Sequence, residues 1–182
     1  MKTLIIYTSQ TGFTKKYAGW LAERTGGEVL ELKEAKKKDN AYFDGFDSIV
    51  YGGWAMAGKL VKLDWFLGKA ENWKDKKLAA FCVGGSPADN PDVDKFLATV
   101  LNEEQQKYIK VFYCLGGIDY DKMSGPTKLL MKMFVSSVKK NKNASEKERE
   151  MAETISHSYD YSDIKYLDPV VEYLGGSVKL DT

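Results

Sequence analysis

Several things are scarce in this chain, and each scarcity closes a class of explanation. It has two cysteines and no CxxC pair, which leaves no material for a disulfide scaffold or a thiolate zinc site. Cys82 and Cys114 lie inside apolar, strand-like runs, where a thiol acts as a small hydrophobe. The single histidine, His157, sits in the polar tract Ser156-His157-Ser158 and reads as a surface residue rather than a general acid. No apolar run approaches the length of about 18 residues that a membrane span needs. The opening apolar run is too short for the core of a signal peptide. Surplus charge is missing too: 27 Lys+Arg against 26 Asp+Glu leave a net charge of +1. Without a concentrated basic surface there is no electrostatic reason to expect nucleic acid. What remains is 182 residues, 43% apolar and 29% charged. That is enough for one core, and the expectation is a single soluble, cytoplasmic domain over 1–182.

Strand-like and helix-like stretches alternate along the chain. Lys2 to Tyr7 is an apolar run suited to a strand buried on both faces. Phe13, Tyr17, Trp20, Leu21 and Arg24 recur at helical spacing, and Gly26-Gly27 supply a stop. Further strands are expected over Glu28 to Leu32, Asp47 to Tyr51 (ended by Gly52-Gly53), Lys77 to Val83 and Ile109 to Leu115. Helices are expected over Leu60 to Ala70, from Val93 to Val100, and from a Ser162 cap through Leu174. This alternation predicts an α/β fold, a parallel sheet with helices on both faces. The segment from Ile118 to Tyr161 breaks the pattern with helix candidates at Pro126 to Lys140 and Ser145 to Ile155, an insertion before the last helix.

The loop after the first strand reads Thr8-Ser9-Gln10-Thr11-Gly12-Phe13-Thr14. A plain surface turn needs no such density of hydroxyls. A helix N-terminus there offers unpaired N–H groups and partial positive charge to a phosphate. Gly12 allows close backbone approach, and Ser9, Thr11 and Thr14 add hydroxyl donors. A Walker loop would need Gly-Lys-Ser/Thr and a dinucleotide fingerprint three glycines, and neither is present. A phosphorylation receiver would need acids after this strand. A terminal phosphate monoester, bound without a metal, fits.

Strand, Ser9-Gln10-Thr11-Gly12-Phe13-Thr14 and helix together resemble the FMN phosphate loop of flavodoxins, and the resemblance extends over most of the chain. Gly116-Gly117-Ile118-Asp119-Tyr120, the stretch 128–133 and Tyr161-Ser162-Asp163 are similar to the branch that includes menaquinone-dependent protoporphyrinogen oxidase, although no substrate is carried over from that. The resemblance implies a three-layer flavodoxin-like fold with a five-stranded parallel sheet in the order 2-1-3-4-5. It also implies FMN as cofactor. Gly52, Gly53, Trp54, Ala55, Met56 and Ala57 then match one loop against the flavin ring, and Gly84, Gly85 and Ser86 the second. In the first loop a glycine peptide, here at Gly53, is expected to turn toward flavin N5. No aromatic falls between Phe81 and Phe96, so either one ring face is open to a substrate or Tyr120 covers it.

The near-zero charge departs from the acidity of flavodoxins that shuttle electrons to basic partners. The expected function is therefore an FMN oxidoreductase passing electrons or hydride between an organic donor and a quinone-like acceptor. The alternative is an electron carrier serving a redox partner protein, and a phosphate-binding module without redox chemistry stands third. Lys128 to Val135, apolar with interleaved lysines, is expected to pack on the sheet edge or to form a lid or a membrane-surface contact.

Overall fold

Along the first strand, β1 (Thr3–Tyr7), every residue is buried, Leu4 and Ile6 in one apolar cluster and Ile5 and Tyr7 in another. Strand side chains alternate between faces, so a strand with no exposed position must be covered on both sides. A computed structural model, describing residues 1–176, shows that cover. After β1 come α1 (Phe13–Thr25), β2 (Glu28–Glu31), the short helices α2 (Leu32–Ala35) and α3 (Asn40–Asp44), and β3 (Ser48–Met56). Next are β4 (Lys59–Leu60), α4 (Leu63–Ala70), β5 (Lys77–Gly84), α5 (Pro91–Val100), α6 (Glu103–Gln106) and β6 (Ile109–Leu115). The remainder is β7 (Gly117–Ile118), α7 (Gly125–Lys140), α8 (Glu146–Thr154), β8 (Tyr159–Asp160) and α9 (Asp168–Leu174).

The main sheet runs β2-β1-β3-β5-β6 with all four pairings parallel, the expected 2-1-3-4-5 order once the hairpin strand β4 is set aside. Tyr17 and Leu21 of α1 with Val170, Val171 and Leu174 of α9 close one face over Ile5, Val50 and Phe81. Phe43, Phe66 and Trp73 close the other over Leu4, Ile49 and Leu78. Each such apolar side chain contributes about 1.5–3 kcal/mol on burial, which makes these two layers the main favourable term.

Three local expectations are corrected. Gly52-Gly53 do not end the third strand, because β3 continues through them to Met56. Gly52 pairs in register with Phe81, and a Cβ at 52 would lie 2.2 Å from Cζ of that ring. These glycines serve close packing and do not break the strand. The helix expected from Leu60 begins at Leu63, because Ala57 and Gly58, with φ of 50° and 73°, turn Lys59–Leu60 back against Ala55–Met56. Ser162 does not cap the last helix, since its hydroxyl donates to Asp160. Asp163 instead caps a 3-10 turn over Ile164–Leu167, and α9 starts after it with a proline in its first turn.

The insertion is as expected, with α7 and α8 matching the two helix candidates to within a residue. Ser124 caps α7 through the Thr127 N–H, and Ser145 with Glu148 forms a capping box on α8. Both ends of the insertion are fastened by the small antiparallel sheet, where Gly117 faces Asp160 and Ile118 faces Tyr159. Among the described residues no helix is long and apolar enough to cross a membrane.

Candidate functional site

At the carboxyl ends of β1, β3 and β5 a cavity of about 430 Å³ opens beneath α7 and α8. Open parallel sheets bind ligands at this end, and the volume is in the range of small-molecule sites. The first loop contributes Ser9, Gln10, Thr11, Phe13 and Thr14. Trp54, Ala55, Met56 and Ala57 come from the end of β3 and its turn, and Gly84, Gly85 and Ser86 from the end of β5. Most of the residues singled out in the sequence are thus brought together.

The loop residues divide their labour. Gly12 is the N-cap of α1 at φ 102°, a left-handed conformation that suits glycine, and no side chain caps that helix. Ser9 Oγ accepts the Gly12 N–H at 3.1 Å, which closes the turn. Gln10 Nε2 reaches out to α7 and donates to Ser124 Oγ at 3.0 Å and Thr127 Oγ1 at 3.2 Å. Two of the four polar side chains therefore have structural partners, and the hydroxyls of Thr11 and of Thr14, itself only 2% exposed, are the ones left to face a ligand. Gly12 lies on the far side of the loop, in a neighbouring groove. Lys16, at that groove, is engaged by Asp160 at 2.9 Å and Ser162 at 2.8 Å. An anion here meets N–H groups and hydroxyls rather than a free ammonium.

Gly52 and Gly53 stand behind the cavity within the β3 ladder, Gly53 paired with Cys82. A Cβ on Gly53 would lie 2.8 Å from Leu60 Cδ1 and 3.1 Å from the Val61 carbonyl. The peptide expected to turn toward flavin N5 thus sits just past the end of the β1 pairing at Gly52, with its register partner on the β5 side. The left-handed positions are Ala57 and Gly58, at the exposed hairpin tip.

The second loop is braced from behind by aromatics that are distant in sequence. Tyr113 donates its hydroxyl to the Ser86 carbonyl at 2.7 Å, and Tyr159 to the Gly85 carbonyl at 2.9 Å. Burial pushes the Tyr159 hydroxyl up to about 12 and raises that of Tyr113 as well, so both remain donors at neutral pH. Tyr120 does not enter the cavity. Its hydroxyl donates to the Ile155 carbonyl at 2.7 Å and the ring lies toward the outer side of α7. The wall it was expected to supply is made by Met123, Met131 and Phe134 with Met151 and Ile155. Met131 and Phe134 belong to the stretch expected as a lid, whereas local pattern does not single out Met151 and Ile155, because helical apolar spacing looks the same whether it faces a core or a ligand.

His157 is exposed, its Nδ1 2.8 Å from Ser156 Oγ, and takes no part. Cys82 and Cys114 are free, buried thiols, and burial raises both, Cys82 to about 12. Among the described residues no group of three or more His, Cys, Asp or Glu is placed to hold a metal.

A family model described as flavodoxin domain matches residues 4–145. The chain belongs to the flavodoxin domain family. The matched part of this flavodoxin domain carries the loops after β1, β3 and β5 together with α7, and stops before α8. A flavoprotein in complex with FMN from Lactobacillus acidophilus is similar in structure, 21% identical over 63% of this chain and 91% of its own, with a TM-score of 0.43. A flavodoxin from the domain Archaea is 16% identical over 86% of this chain and 100% of its own, with a TM-score of 0.39. Oxidised flavodoxin 1 from Bacillus cereus is also 16% identical, over 86% and 97%, with a TM-score of 0.35. No curated protein matches the chain.

Proposed function

We propose that this flavodoxin domain binds FMN and passes electrons between an organic donor and an apolar, quinone-like acceptor. One observation carries the reading: a single cavity joins an uncapped helix N-terminus bearing Thr11 and Thr14 to a wall of methionine, phenylalanine and isoleucine from α7 and α8. FMN needs both surfaces, an anion cradle for its phosphate and an apolar slot for its ring, and the residues present fit it. When bound, the flavin supplies the electron chemistry. The chain's part is to hold the phosphate at the N-terminal turn of α1 with the two threonines, to brace the Gly84–Ser86 loop with Tyr113 and Tyr159, and to keep water from the cavity with α7. Soft methionines suit contact with a planar apolar acceptor.

The second reading, a carrier serving a protein partner, draws on the exposed tip of the β3–β4 hairpin, where Met56 is 46% exposed beside the cavity. The test has two arms. Thr11→Val with Thr14→Val removes two hydroxyls, and hydrogen bonds to a charged group contribute about 1.5–3 kcal/mol each. FMN affinity, read by flavin fluorescence quenching, should fall by at least about tenfold while the melting temperature of the apoprotein holds. Turnover of the loaded protein with apolar quinones, and its loss in Met131→Lys, separates enzyme from carrier. Unchanged FMN affinity in the first arm would sink the assignment of this loop.

A further inference from the structure

Helix α7 turns one face to the cavity and leaves the adjoining face bare. Leu129, Leu130, Met133 and Phe134 are 60%, 64%, 59% and 46% exposed. Their spacing joins them into one strip on the helix surface, since residues three and four apart are neighbours. Soluble surfaces seldom show four large apolar side chains together without a purpose. The same helix carries Lys128, Lys132, Lys139 and Lys140 and no acidic residue. Among the described residues only Lys139 of these four meets a carboxylate, that of Glu153 at 2.6 Å. Lys132, Lys139 and Lys140 flank an open pocket of about 350 Å³ with Ser136, Ser156 and Tyr120. Cations and hydroxyls around a pocket beside an apolar strip make a place for a phosphate headgroup with its acyl chains alongside.

We infer that α7 is an interfacial helix that docks this protein on an anionic lipid surface. The strip lies in the acyl boundary and the lysine pocket takes the headgroups, an arrangement that suits an amphipathic helix too short and too charged to span. Charge decides between this occupant and a second copy of the chain, because an isologous contact through the strip would set the lysines of two copies against each other. Phe134 belongs both to the strip and to the cavity wall, so the docked face borders the cavity mouth. An acceptor dissolved in the bilayer would reach the cavity from this side; that last step rests on the proposed function, whereas the docking rests on the face alone.

The experiment is co-sedimentation of the full chain with vesicles of phosphatidylglycerol and phosphatidylcholine, with phosphatidylcholine vesicles alone and a salt series in parallel. Three proteins are compared: the wild type, Leu129→Gln with Met133→Gln, and Lys132→Gln with Lys140→Gln. All substituted side chains are exposed, and melting curves check that the fold holds. Wild type should favour the anionic vesicles, and partitioning should drop about fivefold for each lysine removed at low salt. The apolar variant should lose at least about tenfold at any salt. Equal partitioning onto both vesicle types, no vesicle binding, or a soluble dimer that the Leu129 and Met133 changes dissociate would each overturn the inference. Because no flavin enters the assay, failure of the FMN reading would leave the vesicle result standing.

Discussion

Replacing Gly52 by alanine separates two reasons for a glycine at that position. In a strand interior alanine ordinarily stabilises by about 0.5–1 kcal/mol relative to glycine, because the unfolded chain loses freedom. Here the added Cβ would meet Cζ of Phe81 at 2.2 Å and both Cε atoms at 2.7 and 2.8 Å. Phe81 is fully buried beneath α1 and α9, so its ring has no free space to enter. Overpacking of this kind costs about 1–3 kcal/mol, which outweighs the entropic gain. For so close a clash the upper part of that range applies and the net cost is about 1–2.5 kcal/mol; at roughly 2–4 °C per kcal/mol for a chain of this size, Gly52→Ala should melt about 2–10 °C lower. The sharper readout is a double-mutant cycle with Phe81→Leu, a residue without the three clashing ring atoms. If the ring is what excludes a Cβ, Gly52→Ala should cost far less in that background, with a coupling of about 0.5–3 kcal/mol. Urea midpoints at constant slope supply the four free energies. A neutral Gly52→Ala, or strictly additive effects, would refute the packing argument and restore a conformational role for Gly52.

Two other outcomes follow from the geometry. Gln10→Ala removes both hydrogen bonds from the first loop to Ser124 and Thr127, so amide exchange at the N-terminal turn of α7 should accelerate while the sheet stays protected; unaltered exchange there would mean that Gln10 does not fasten the cover. Stability should fall at alkaline pH: burial raises Cys82 from 9.0 to about 12, and Tyr42 and Tyr159 from 10.0 to about 12. The unfolded chain releases these protons first, so the stabilisation is complete below about pH 9 and is lost as pH rises toward 12. Cys82→Ala should make that alkaline loss shallower in denaturant titrations at pH 8 and 10.5, and an identical slope would show that the thiol does not contribute.

The α/β alternation, the parallel sheet, the anion-ready first loop and the two insertion helices are legible in the residues alone. These are local properties. Leu4 to Tyr7 without an exposed position demand cover on both faces, Gly12 followed by a helix leaves N–H groups unpaired, and Ser124 and Ser145 announce helix starts wherever those helices pack. The close packing at Gly52 and Gly53 emerges only in the folded chain, because the atoms that exclude a side chain there belong to Phe81 and Leu60, on other strands. The tertiary structure also decided that Tyr159 and Tyr113 brace the second loop while Tyr120 turns away, since each hydroxyl took the carbonyl that the folded backbone brought within reach. Along α7 the same composition yields Met131 in the cavity wall, Val135 buried and Leu130 facing outward. Periodicity shows that a helix has an apolar side, and only the neighbours packed around it settle which apolar residues are covered and which remain open to a ligand or a surface.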